Sequence, residues 1–361
     1  MNLRGLHIAI VGPLPPPEGG MANQTLQLRE LLRGEGSHVT VVQVNNPYRP
    51  RWIAGIWGIR ALFRLVPYVI QLWRTAGQVR LFHVMANSGW SWHLFAAPAI
   101  WIARMRGVRS VVNYRGGEAE TFLARSSSIV LATLRRANVL AVPSGFLQRV
   151  FSKCGVSSEV VPNIVDLDRF RPDSGPRDKG VAHVVVARSL EPIYDIGTAL
   201  RAFKLVRQEI PGATMSLAGS GPERDGLLSL AKELGIAEAV KFCGSLNRNQ
   251  MAELYRSASV VINPSRVDNM PNSVLEAMAS GTPVVSTNVG GVPFIVQHDV
   301  NGLLVPAGDH TAMASAVKRV LLDSHCADRL RDAALSDVQA YAWPGVKQRW
   351  IDVYAMALTE A

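Results

Sequence analysis

Cysteine is scarce in this chain: 361 residues carry only Cys154, Cys243 and Cys326, far apart and without metal-ligand spacing. That excludes a disulfide framework and predicts three buried thiols in a reducing cytosol. Long apolar runs are missing as well. Residues 51 to 80 are broken up by arginines, and Ser91 to Ile102 is too short to cross a bilayer. The N-terminus passes from Met1-Asn2-Leu3-Arg4 straight into the strand-like His7 to Val11, which predicts no secretory signal and a cytoplasmic protein. Behind that strand there is no Gly-x-Gly-x-x-Gly fingerprint with an acid about twenty residues on, which argues against a hydride-transferring dinucleotide enzyme.

Acids are short in one half only. Residues 1 to 170 hold 8 Asp or Glu against 19 Lys or Arg, while the remainder holds 20 against 19, so the net charge of +10 arises in the first half. All of those first-half cations except Lys153 are arginines, whose planar fork suits phosphate. No basic run interleaves with stacking aromatics as a nucleic-acid platform requires, so nucleic acid is not an expected partner. An anionic membrane surface or a phosphate-linked acceptor fits better. In residues 51 to 80, Trp52, Trp57, Phe63, Tyr68 and Trp73 alternate with Arg51, Arg60, Arg64, Arg74 and Arg80, with no acid among them. That is the pattern of a helix at a lipid headgroup boundary, kinked or split by Pro67. It also fits a helix packed on a sheet with snorkelling arginines.

The chain is rich in what a pair of α/β cores needs. Hydrophobic residues make up 48% and charged residues 18%, and the length exceeds one ordinary core. Strand-like runs at His7 to Val11, His38 to Val44, Arg80 to Val84, Ser110 to Tyr114, Val139 to Val142 and Glu159 to Val161 alternate with helical stretches. Ala182 to Ala187, Thr214 to Ala218, Val240 to Cys243, Val260 to Asn263 and Pro283 to Ser286 repeat the scheme. Near-continuous apolar strands of this kind predict parallel sheets covered on both faces. Residues 1–170 and 171–342 are the expected domains. Arg171 to Gly180 reads as the linker, and 343–358 as a last amphipathic helix.

Two loops carry the chemistry. Gly12-Pro13-Leu14-Pro15-Pro16-Pro17-Glu18-Gly19-Gly20 joins the first strand to a helix over Met21 to Arg33, where Gly19 and Gly20 can bring bare backbone to a phosphate. The second runs from Pro264 into a helix over Ser273 to Ala279, ended by Gly281 and Pro283. A helix start offers unpaired N–H groups and about half a positive charge, which suits a diphosphate. Asp268 before the helix and Glu276 within it could accept hydrogen bonds from sugar hydroxyls.

Pro264, Ser265, Asp268, Glu276, Ala277, Met278, Gly281, Pro283, Val284, Val285, Gly290 and Gly291 resemble the nucleotide-sugar signature of family 4 glycosyltransferases. Val161 to Asp166 with Phe170 and Pro172, Leu217 to Pro222, Phe242 to Ser245, and Gly12 with Gly19-Gly20 are similar to further loops of that family, so the resemblance spans nearly the whole chain. It implies a retaining enzyme of GT-B architecture, with two Rossmann-like domains facing a cleft and the last helix crossing back onto the first. It also implies residue roles: Arg188 on the donor diphosphate, Glu276 on the ribose, Asp268 on the transferred sugar, the amides of Asn269, Met270 and Pro271 on phosphate and sugar, and Gly219 lining the donor site. His83, Asn87, Arg115 and Glu118 are implied on the acceptor side. No metal and no cofactor beyond the nucleotide sugar is expected, and attachment would be at most peripheral, at the inner face of the membrane.

Two departures stand out. Tyr194-Asp195 occupies the place of the family's Lys-Gly pair, and Tyr114-Arg115-Gly116-Gly117-Glu118 stands where a histidine often approaches the acceptor. The first leaves Tyr194 either donating to phosphate or packed as an aromatic. It also keeps a catalytically silent sugar-nucleotide-binding subunit open, beside a GT-B epimerase or phosphorylase.

Overall fold

The computed structural model describes residues 1–16, 18–47, 59–173 and 182–359. The chain divides into two compact units, Met1–Ile164 with Val346–Ala361, and Val165–Gly345. The second unit starts at Val165, whose amide donates to the carbonyl of Tyr341 at 2.9 Å, ahead of the boundary expected at 170. Most of the linker read at Arg171 to Gly180 lies outside the described residues.

In the first unit six parallel strands, β1 (His7–Gly12), β2 (His38–Gln43), β3 (Leu81–Ala86), β4 (Arg109–Tyr114), β5 (Val139–Val142) and β6 (Glu159–Val160), lie in the order β2-β1-β3-β4-β5-β6. Helices α1 (Gly20–Gly34), α2 (Ile59–Ala76), α3 (Ala97–Met105), α4 (Ala119–Leu134) and α5 (Gly145–Lys153) connect them, with a π-helical turn, Trp92–Ala96, leading into α3. Every residue of β3 and β5 is buried, the reason these strands read as unbroken apolar runs. The strand order reverses between β1 and β3, so the carboxyl ends of these neighbours form a switch point where such sheets bind ligands. Gly12 is required there, because a Cβ would lie 2.9 Å from Met85 Cγ and 3.0 Å from Thr25 Oγ1. Asn45 braces the loop beyond, accepting from the Leu14 amide at 3.0 Å and donating to the Leu14 carbonyl at 2.8 Å.

The last helix, α12 (Trp343–Thr359), buries Val346, Trp350, Val353 and Tyr354 within this unit. Beneath it lies His83, in the middle of β3 rather than after a strand. Its Nδ1 is 2.9 Å from Tyr354 Oη, its Nε2 is 3.1 Å from Asn113 Nδ2, and its ring centroid is 4.7 Å from that of Trp350. His83 is fully buried with both nitrogens engaged, so it ties the C-terminal helix to the sheet and is not placed to meet an acceptor. Burial, helped by the nearby Arg115 guanidinium, pushes its pKa down to about 3. A neutral ring can donate from one nitrogen and accept at the other, which a cation cannot. Since the unfolded chain takes up this proton at an ordinary histidine pKa of about 6.5, stability falls with acid from there downward, by at most about 1.4 kcal/mol per pH unit from this group. Denaturant midpoints measured across that range are expected to fall less steeply in His83→Gln than in the natural protein.

Helix α2 runs unbroken through Pro67. It buries Tyr68, Leu72 and Ala76 in the core, and the Tyr68 hydroxyl donates to the Phe95 carbonyl at 2.6 Å. Of the aromatic and arginine pattern read at 51 to 80, Arg51, Trp52 and Trp57 lie outside the described residues. No helix among the described residues is long and apolar enough to cross a membrane.

The second unit holds six more parallel strands: β7 (His183–Ala187), β8 (Thr214–Ala218), β9 (Val240–Gly244), β10 (Val260–Asn263), β11 (Val284–Thr287) and β12 (Leu303–Val305). Their order is β12-β11-β10-β7-β8-β9. Helices α6 (Ile196–Glu209), α7 (Arg224–Glu233), α8 (Arg248–Ser257), α9 (Asn272–Ala279), α10 (His310–Leu322) and α11 (Ser324–Asp337) pack around them. The chain first builds β8 and β9 on one side of β7, then β10, β11 and β12 on the other. The switch point therefore falls between β7 and β10, which pair directly.

Candidate active site

Arg188 directly follows β7, and Asp268 lies on the loop after β10, so the sheet order brings together residues 80 positions apart in sequence. An Arg188 Nη2 to Asp268 Oδ2 distance of 2.7 Å joins them, with both side chains only about a tenth exposed (11% and 10%). The other terminal nitrogen of Arg188 lies 3.5 Å from Ser273 Oγ at the start of α9. Underneath, the Tyr194 ring centroid is 4.0 Å from the guanidinium carbon, close enough for a cation–π contact. Tyr194 therefore packs its ring against the Arg188 guanidinium.

Backbone geometry holds this cation in place. Gly219, after β8, has φ +150°, and a Cβ there would stand 1.9 Å from the Arg188 carbonyl oxygen. The Arg188 amide meanwhile donates to the Ala218 carbonyl at 3.0 Å. Gly219 thus acts through the main chain of Arg188. Gly219→Ala must push that loop away, and a misplacement of about 1 Å costs on the order of a hundredfold in turnover. Steady-state kinetics on the folded variant check this expectation.

The loop from Pro264 to Pro271 is latched to the turn carrying Tyr194. The Arg266 amide donates to the Ile193 carbonyl at 2.9 Å, and its Nε lies 2.9 Å from Asp195 Oδ2. Asp195 takes a left-handed conformation (φ 44°) and caps α6 through Thr198. Burial raises the Asp268 carboxyl above the usual range, opposed by Arg188 and by hydrogen bonds from Ser265, Asn263 and the Asn269 amide. The cap residue of α9, Pro271, makes no side-chain cap, and the positive end of the helix dipole points to the same loop. Pro271, at the cap position, has no N–H and cannot donate as expected, and the Asn269 amide already donates to Asp268.

Glu276 lies one turn into α9 and accepts from the Tyr255 hydroxyl at 3.3 Å. Burial pushes its pKa up to about 7, although Arg248 and the Tyr255 hydrogen bond pull it down. Arg248 is shared: its Nη2 lies 3.4 Å from Asp166 Oδ2, which Arg169 also approaches at 3.5 Å. Asp166-Leu167-Asp168 is an Asp-x-Asp tripeptide, and its first acid is held by these two arginines. Tyr255, Arg248 and Ser273 carry no local sequence signal. They are recognised only once α8 and α9 are packed together.

In the first unit the structure gathers the loops after β3 and β4. Asn87 Oδ1 accepts from the Ser88 amide at 2.8 Å. Gly116 is needed beside it, since a Cβ would fall 2.3 Å from Ser88 Oγ and 2.8 Å from Asn87 Oδ1. Arg115 reaches Asn163 Oδ1 at 2.6 Å, and burial lowers its pKa to about 10. Glu118 is exposed at the start of α4. Gly19 is exposed and extended ahead of α1, with open space where a side chain would be, and Gly20 is the first residue of that helix. Apart from His83, the residues expected here thus lie at the carboxyl ends of β1, β3 and β4.

A cation, two carboxylates and a helix start with proline at its cap, at the switch point of a parallel sheet in a chain of two such units, define a nucleotide-sugar enzyme of GT-B fold. Residues 168–337 match the family model for glycosyl transferases group 1, and residues 18–169 match that for glycosyltransferase family 4. The chain belongs to the family 4 glycosyltransferases of group 1 type. The GDP-mannose-dependent alpha-(1-6)-phosphatidylinositol monomannoside mannosyltransferase of Mycobacterium tuberculosis is 27% identical to it, over 98% of this chain and 97% of that protein. A glycosyltransferase of Methanocaldococcus jannaschii is 29% identical over 74% of each. Sucrose-phosphate synthase from Thermosynechococcus elongatus has the same fold, with a TM-score of 0.80 at 21% identity, covering 97% of this chain and 98% of that one. Anabaena HepE in complex with UDP-glucose gives 0.76 at 18% identity, covering 96% and 99%.

Proposed function

We propose that this glycosyltransferase moves a hexose from a nucleoside-diphosphate sugar to a glycan or lipid-linked acceptor, with retention at the anomeric carbon and without a divalent metal, in surface polysaccharide or glycolipid synthesis. The observation that carries it is the Arg188–Asp268 pair at the β7/β10 switch point, 2.7 Å apart and facing the start of α9. Arg188 and the helix dipole supply positive charge for the departing diphosphate. Asp268 accepts from hydroxyls of the transferred sugar, Glu276 from the ribose, and Asn87, Arg115 and Glu118 contact the acceptor. Gly19 and Gly20 let the backbone approach phosphate. The similarity to a phosphatidylinositol mannoside mannosyltransferase, together with the arginine-rich first half, supports a lipid-linked acceptor and peripheral contact with an anionic membrane from the cytoplasmic side.

Incubation with labelled UDP-, GDP-, ADP- and TDP-sugars, chelator and a lipid extract tests this reading. The expected result is one donor whose sugar appears in an organic-soluble product with the donor's anomeric configuration. Inversion or a requirement for metal would each remove that part of it, and label only in water-soluble glycan would leave a glycan acceptor and remove the lipid-linked one. A silent binding subunit is the second reading, favoured by Tyr194 where the family carries lysine. Donor binding without breakdown, restored to breakdown by Tyr194→Lys, would establish it instead.

A further inference from the structure

We propose that the outer face of α2, α3 and α4 is the surface through which the first unit rests on an anionic lipid bilayer, an inference that builds on the reading of this chain as a transferase working at a membrane. Helix α2 is apolar on two sides. Opposite its buried stripe, Phe63, Val66, Val69, Ile70 and Trp73 are each between 40% and 48% exposed. Single exposed apolar residues are ordinary, but five at helical spacing on one face form a patch. The patch continues with Trp101 and Met105 on α3, 40% and 62% exposed, and with Ile129 on α4 at 65%.

Cross-helix contacts show that these residues share one layer. The Arg106 guanidinium, just after α3, lies 4.9 Å over the Trp73 ring of α2. Trp101 Nε1 donates to Thr133 Oγ1 of α4 at 3.4 Å, and Arg136, just after α4, lies 5.3 Å over the Trp101 ring. Two exposed tryptophans thus each carry an arginine on their face, with Arg74, Arg104 and Arg135 also exposed. No Asp or Glu occurs between Glu35 and Glu118, a stretch that contains the whole of α2 and α3.

Charge decides the occupant. A second copy docking face to face would bring arginine against arginine with no acid from α2 or α3 to offset them, whereas anionic headgroups pair with the arginines while the apolar stripe and tryptophans enter the headgroup boundary. The surface differs from the segment at 51 to 80 read from sequence: its described part is the C-terminal end of that segment plus two helices that lie outside it.

Flotation with vesicles of equal parts phosphatidylcholine and phosphatidylglycerol, against phosphatidylcholine alone, tests the proposal. The protein is expected to float with the anionic vesicles only, and less so as salt is raised. Ile70→Glu with Trp73→Glu should abolish flotation, and Arg104→Gln with Arg106→Gln should weaken it by about tenfold or more. Every variant should release nucleoside diphosphate from donor at the natural rate, since none of these side chains touches the donor loops. Equal capture by both vesicle types, or flotation unchanged by Ile70→Glu with Trp73→Glu, would overturn the proposal. So would a dimer in sedimentation velocity that this double substitution dissociates, which would assign the face to a second copy. Flotation by a preparation that breaks down no donor would uphold the surface and count against the transferase reading alone.

Discussion

Arg188→Ala is expected to lower turnover of the sugar nucleotide by about 10²–10³, or about 2.7–4 kcal/mol, the usual effect of deleting one preorganised donor from a site of developing charge. The guanidinium is fixed before any substrate arrives, by the Tyr194 ring at 4.0 Å and Asp268 at 2.7 Å, so little reorganisation is needed when the diphosphate leaves. The same substitution leaves Asp268 buried without its counter-ion. Because both side chains are about nine-tenths shielded, that loss is weakly screened and should cost about 3–5 kcal/mol of stability. Arg188→Lys separates the two effects. It keeps a cation beside Asp268 but lacks the planar fork that also reaches Ser273, so most of the stability should return while turnover stays well below natural. Chemical unfolding and steady-state kinetics on the two variants check both halves. Equal turnover in Arg188→Ala and the natural protein would take Arg188 out of the chemistry.

What made this site legible was partly local and partly not. The strands could be read because parallel strands buried on both faces must be apolar throughout, as in Val260–Asn263 and Val139–Val142. The strand Leu303–Val305 was missed, since three residues between Gly302 and Pro306 give no period to recognise. The loop from Pro264 to Pro271 and the helix after it were visible from proline, glycine and helix-forming residues. That Arg188 meets Asp268 was not locally readable, because only the pairing of β7 with β10 brings them together; the family resemblance implied a donor-side role for each without pairing them. His83 shows the opposite failure. Its partner Tyr354 is 271 residues away, and nothing around position 83 reveals that a C-terminal helix will cover it. Tyr194 was readable as a departure from the family pattern, but its cation–π contact with Arg188 became evident only in the packed structure.

Glu276 yields the second large effect. Burial pushes its carboxyl up to a pKa of about 7, so its titration falls in the neutral range. Ribose hydroxyls donate, and only the ionised carboxylate accepts from a pair of them without giving up a lone pair to a proton. The proposed ribose contact of Glu276 therefore favours the deprotonated form, and donor affinity should rise as pH is raised through about 7 and be lost as it falls below. The free protein shows the opposite linkage: a carboxyl whose pKa is raised by folding costs stability progressively from its ordinary value of 4.5 up to about 7. Glu276→Gln should weaken donor binding by about 10- to 100-fold, the range for a hydrogen bond to a charged group, and abolish the pH step. Tyr255→Phe removes a hydrogen bond that favours the carboxylate, so the step should move to higher pH. Calorimetric titration of donor across the neutral range, repeated for both variants, reads all three outcomes. A pH step that survives in Glu276→Gln would assign the titration elsewhere.

The central claim is that Arg188, Asp268 and Glu276 together form the donor site of a working transferase. Its most direct test is release of nucleoside diphosphate from a panel of UDP-, GDP-, ADP- and TDP-sugars, with no acceptor and no metal, in the natural protein and in Glu276→Ala. Slow release from one donor, lost in the variant, is the predicted result. Release from none of them, or the same release with Glu276 removed, would contradict it.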